Sequence, residues 1–186
     1  MRGRSCVATH IEVCVARRRR FPIAIGDSVG RGIARVDPQY PIDMPTPFES
    51  ALLNLRLFEL RREPVLREAR DWFLREFNPE TFDELVPLVT GERNASFRMV
   101  LGYWDMAASL VTTGAIDAAA CVAAHGEVFA TFGKIHPFLA ELRRTSGEPD
   151  FCKHIEAVVL ADPNAEAILA RRRAAARAAA KERRSE

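Results

Sequence analysis

Three polar side chains interrupt the most apolar stretch of the chain. Arg98 and Asp105 are seven residues, two helical turns, apart, so on a helix they share one edge, which Ser109 and Thr112 continue. Tyr103 lies between them. A cation, a phenol and a carboxylate in an apolar helix would suit a polar pocket for an anionic or amide ligand. The same charges can also serve the bundle itself, each pairing with a neighbouring helix or reaching water, because an unpaired buried charge costs several kcal/mol. Pairing is the expectation, with Glu59, Asp71 or Glu76 as partners. Cys121 and His125, four apart, have the spacing of two metal ligands on one helical face. Glu127, His136, Cys152 or His154 would have to complete the set. A small buried Cys and a helix-end His explain the pair without a metal, so no metal and no cofactor is expected. The sequence holds no Glu-x-x-His, no His-Glu-x-x-His and no Gly-rich phosphate loop. No catalytic residue is assigned, and the balance leans against an enzyme.

Nearer the start, Cys6, His10 and Cys14 repeat the four-residue interval, without a fourth ligand or a stable helix to hold them. Ile25-Gly26-Asp27-Ser28 resembles the block of the GDS-type serine esterases, whose serine attacks an acyl carbon with help from a distant Asp-x-x-His pair. The remainder of that pattern, a Gly-x-Asn-Asp, a late Asp-x-x-His and a succession of strands, is missing, which sets the esterase aside. Both sets fall in residues 1–43. There the apolar residues follow neither the helical nor the strand period, Gly and Pro recur, and Arg17 to Arg20 interrupt the best short run. This stretch reads as a disordered leader. Met44 reads as the native start, because a well-capped helix opens directly after it.

From Thr46 to Asp162 the punctuation is helical. Thr46, Pro47 and Glu49 form a cap, a first-turn proline and a capping box. The helix they open runs to about Arg62 with two apolar stripes, one of Phe48, Ala51, Leu52, Leu55 and Phe58, the other of Leu53, Leu57 and Leu60. Two stripes call for two partners. Pro64 starts a second helix, and Asn78-Pro79-Glu80 a third that Pro87 kinks and Gly91 ends. A fourth, the most apolar, begins at Glu92 or Asn94, runs to about Thr112 and is the candidate central helix, with Met99, Tyr103, Met106 and Leu110 widening its apolar face. Gly114 closes it, and Ile116 and Asp117 staple and cap a short helix over residues 118–124. A longer helix follows through Arg144, kinked near Pro137, and a last one carries Phe151, Ile155, Val158 and Val159. The expectation is an all-α, irregular bundle of about six helices over residues 44–162. Residues 163–186 form a projecting Ala/Arg helix in which Arg171, Arg172, Arg173 and Arg177 could grip phosphates. No aromatic residue interleaves them for base stacking, so a solvated basic tail is favoured over nucleic-acid binding.

Composition bounds these readings. Of 186 residues 48% are hydrophobic, and 27 basic against 25 acidic side chains leave a net charge of +2, which excludes a wholly disordered chain. Four Cys are no disulfide framework, and no apolar run reaches the roughly 18 residues of a spanning helix. A cytoplasmic protein without membrane association is expected. Asn94-x-x-x-Arg98, Tyr103, Ala107 and Gly114-Ala115-Ile116-Asp117, preceded by a basic, aromatic helix, together resemble a family of uncharacterised all-helical bacterial domains of unknown function. The resemblance covers roughly residues 48–160. It implies a helical fold and carries no activity, substrate or catalytic residue. The functional expectation is a non-enzymatic domain that associates with protein partners or with itself through the spare stripe of its first helix. The alternatives are a ligand-binding or enzymatic bundle around Arg98, Tyr103 and Asp105, and a nucleic-acid accessory protein acting through its tail.

Overall fold

A computed structural model describes residues 45–185. The Cys6, His10 and Cys14 set, the Gly26-Asp27-Ser28 block, the leader and the Met44 start lie outside the described residues. Among those residues there are nine α-helices and no strand: α1 (Pro47–Arg61), α2 (Pro64–Arg75), α3 (Phe82–Thr90), α4 (Asn94–Thr112), α5 (Ala118–Ala124), α6 (Glu127–Ile135), α7 (Leu139–Ser146), α8 (Lys153–Leu160) and α9 (Ala165–Ser185). None is long and apolar enough to cross a membrane.

Local chemistry sets the boundaries. Thr46 Oγ1 accepts from the Glu49 N–H at 3.2 Å and the Glu49 carboxylate accepts from the Thr46 N–H at 2.9 Å, the capping box read from the sequence. At α3 the start moves to Thr81, whose hydroxyl accepts from the Glu84 N–H. Asn78, expected to open this helix, donates to the Arg75 carbonyl at 3.0 Å and so closes α2 instead. Gly114 adopts a left-handed φ of 77°, which costs a glycine little, and this turns the N–H groups of Ala115 and Ile116 onto the Leu110 carbonyl. Ile116 is then buried and Asp117 accepts from the Ala120 N–H at 2.8 Å. The Gly-Ala-Ile-Asp run is therefore a chain reversal, each residue with a structural task. The single long helix expected through Arg144 is two. Pro137 has no N–H to continue the ladder, and the chain tightens into a 3-10 turn at His136–Phe138 between α6 and α7.

The core forms around α4, which packs on α2 along one side and α8 along another. Phe97, Val100, Leu101, Tyr103, Trp104, Ala107 and Ala108 are buried, whereas Met99 and Met106, expected to widen that face, remain well exposed. Phe73, Phe77 and Phe97 join α2 to α4, with ring centroids 4.6 to 6.3 Å apart. The tail is held more closely than its composition suggests. Ala165 and Leu169 of α9 are buried, Leu169 lies against Gly133 of α6, and Arg173 donates to the Gly133 carbonyl at 3.3 Å. Near its end Arg183 donates to the Arg75 carbonyl at 2.6 Å, so α9 lies along α6 and reaches α2 rather than projecting.

Candidate functional site

Arg98, Tyr103 and Asp105 are not brought together. The Tyr103 hydroxyl is buried and donates to the Leu57 carbonyl at 2.7 Å, and burial pushes its pKa up to about 12. Asp105 Oδ1 accepts from the N–H groups of His154 and Ile155 at 3.0 and 2.9 Å, which caps α8. That helix needs an outside cap because Cys152, at its cap position, has a left-handed φ of 56° and no side-chain cap bond. Thr112 and His154 Nδ1, 2.7 Å apart, continue the same seam. Arg98 is exposed on the outer side of α4. Of the partners expected for these charges, Glu59 pairs with Arg56 and Asp71 with Arg75, each within its own exposed helix face. In the tail Arg171, Arg172 and Arg177 are exposed, while Arg173 turns inward to Gly133.

Cys121 and His125 are both buried. Burial pushes the Cys121 thiol pKa up, and His125 Nε2 sits 3.1 Å from Asn54 Oδ1. Burial, reinforced by the Arg61 charge, lowers the His125 pKa and keeps the imidazole neutral. Among the described residues no group of three His, Cys, Asp or Glu is arranged to hold a metal. Beside His125 a polar cluster ties three helices. Arg70 grips Glu127 bidentately, through Nε at 2.8 Å and through Nη2, and donates to the Arg61 carbonyl at 3.2 Å. The Arg61 guanidinium lies over the rings of Phe58 and Trp104 at 5.4 and 5.9 Å. A cation thus meets the carbonyl end of α1 and an anion the N–H end of α6, each favoured by the helix dipole.

Lys134 of α6 is a second site of long-range capping that the sequence concealed. Glu76 and Phe77 both turn their N–H groups to the Trp72 carbonyl, so the carbonyls that follow need other donors. Lys134 Nζ donates to those of Phe73, Leu74 and Phe77 at 2.8, 2.7 and 3.0 Å. Burial, with the Arg183 charge nearby, pushes its pKa down to about 7.

The surface that these contacts leave open is the outer face of α1. Phe48, Leu55, Leu52 and Phe58 are 70%, 61%, 50% and 44% exposed. They form the first stripe read from the sequence, whereas Leu57 of the second stripe is buried against the core. The stripe runs into a groove of about 670 Å³ between α1 and α5, walled by Pro47, Ala51, Leu55 and Phe58 on one side and Ala120 and Ala124 on the other, with Asn54 and His125 also lining it. A second apolar groove of about 340 Å³, lined by Val111, Val122, Phe129 and Val158, flanks the opposite side of α5. An alanine helix between two grooves lets another helix approach closely, and contiguous exposed apolar surface of this kind marks interaction sites.

A family described as a domain of unknown function (DUF4760) matches residues 48–161. Neither a curated protein nor a solved structure matches the chain.

Proposed function

Given that the chain belongs to the DUF4760 family of domains of unknown function, we propose from its geometry that the domain is a cytoplasmic protein-association module that docks a helix on the α1 stripe and the α1/α5 groove. The polar groups expected to make a ligand pocket lie apart: Tyr103 is engaged on Leu57, Asp105 on α8, and Arg98 is exposed. One observation carries the reading. Four large apolar side chains on one face of α1 are left between 44% and 70% exposed beside an apolar groove. Burying such side chains is worth about 1.5 to 3 kcal/mol each when complete, so this face favours being covered.

Oxidative footprinting tests whether anything covers it. The full chain in a concentrated extract of its own cells should show Phe48, Leu52 and Leu55 protected compared with the purified chain at high dilution. Equal labelling under the two conditions would remove the association reading.

A further inference from the structure

We propose that the occupant of the α1 face is a second copy of this chain, the two α1 helices lying antiparallel about a two-fold axis level with Leu52 and Leu53. This arrangement rests on the association reading above and adds the partner and its register. Two separate features give the same centre. The exposed stripe runs from Phe48 to Phe58, so its midpoint is residue 53. Glu49 and Arg56 are exposed and seven residues apart, hence two turns apart on the same flank of that stripe, and their midpoint falls between residues 52 and 53.

A two-fold axis perpendicular to both helices makes each flank face the same flank of the other copy while reversing its direction. Glu49 of one copy then stands level with Arg56 of the other, twice per dimer. The carboxylate is available for this, since both of its bonds to Thr46 use Oε2 and leave Oε1 out of the cap. Among the described residues Arg56 is held by Glu59, in a pair whose side chains are 68% and 63% exposed, which is readily exchanged. On the opposite flank Phe58 of one copy comes level with Pro47 of the other, beside the groove that both residues line, so apolar surface meets apolar surface. A parallel pairing would set the Glu49 and Arg56 flank of one copy against the apolar flank of Pro47 and Phe58 of the other, leaving both charges without an opposite charge, and would align the two helix dipoles unfavourably. The 15 residues of α1 span about 22 Å, and the groove walls at Pro45, Ala120 and Ala124 extend the face towards the roughly 1,200 Å² that a stable interface buries.

Sedimentation of the full chain over a wide range of concentration, with cysteine crosslinking mapped by mass spectrometry, tests the arrangement. A monomer–dimer equilibrium is expected. Leu52→Cys, beside the axis, should crosslink to its own copy. Arg62→Cys should not, because the two copies of residue 62 lie about 28 Å apart. Glu49→Arg or Arg56→Glu alone should loosen the dimer about three- to tenfold, and the two together should restore it. Within one chain these residues are about 11 Å apart along the helix, so rescue reports a contact between copies. Circular dichroism of each variant separates loosening from loss of fold. Crosslinking at both positions means parallel helices and overturns the proposed register, with association intact. A chain that stays monomeric at every concentration overturns the second copy as occupant. Footprint protection in extract would then still uphold docking by a different protein, and its absence would remove both.

Discussion

Replacing Lys134 with methionine sets two comparable quantities against each other, and pH decides between them. The substitution takes the donor from three carbonyls at the end of α2. At about 1 kcal/mol for each hydrogen bond the loss is about 3 kcal/mol. It also removes an ammonium whose pKa burial has pushed down from 10.5 to about 7, and this relieves the folded state of a cost of similar size near pH 7. Because the folded-state pKa is the lower one, the unfolded chain binds more protons between pH 7 and 10.5. The Lys134 contribution to stability therefore rises as pH climbs through that window, by about 1.4 kcal/mol per unit. Urea unfolding should put Lys134→Met about 1 kcal/mol ahead of the wild-type chain at pH 7 and about 2 kcal/mol behind it by pH 9.5, where one pH unit of the cost remains, a swing of roughly 3 kcal/mol. Tyr103 and the buried thiols, whose pKa values burial raises, act alike in both proteins and cancel in the difference. A gap of constant size at the two pH values would refute the reasoning.

Asp105→Ala, which removes the side-chain acceptor for the His154 and Ile155 N–H groups at the start of α8, should cost about 1 to 2 kcal/mol in a urea titration. Gly102 lies mid-helix in α4, and a Cβ built there meets nothing within 4 Å, so Gly102→Ala should stabilise the fold by about 0.5 to 1 kcal/mol and raise Tm. Burial pushes the pKa of the Cys152 thiol from 9.0 to about 12, which leaves roughly a thousandth of the ordinary thiolate near pH 8. Site-resolved alkylation should find Cys152 slower by about that factor in the native chain than in urea.

Which parts of this molecule could be read from its sequence follows from the range of the interactions involved. Thr46 with Glu49, Gly114 with Asp117, and the apolar stripes of α1 act over a turn or two, and the chain displays them in order. Asn78 misled because an asparagine that closes one helix looks like one that opens the next, and only the carbonyl of Arg75 distinguishes them. Pro137 was visible as a disturbance, but the sequence could not show that the helix would be cut into two. Lys134 and its three carbonyls, Arg70 with Glu127, and Asp105 with α8 join residues 49 to 61 positions apart, and spacing along a chain carries no trace of such pairs. The docked tail was concealed for a related reason. Counting apolar residues after Leu169 predicts weak packing, whereas Arg173 and Arg183 anchor the helix through carbonyls.

The cap that Asp105 supplies to α8 bears on the order in which the chain assembles. A segment that begins at a left-handed cysteine and has no side-chain cap of its own cannot nucleate alone in eight residues, and it becomes helical only when α4 already presents a carboxylate. Collapse should therefore be led by α2 and α4 through their shared phenylalanines, with α8 joining after the rate-limiting barrier. Damage at this seam would then leave the speed of folding almost untouched and shorten the lifetime of the native state.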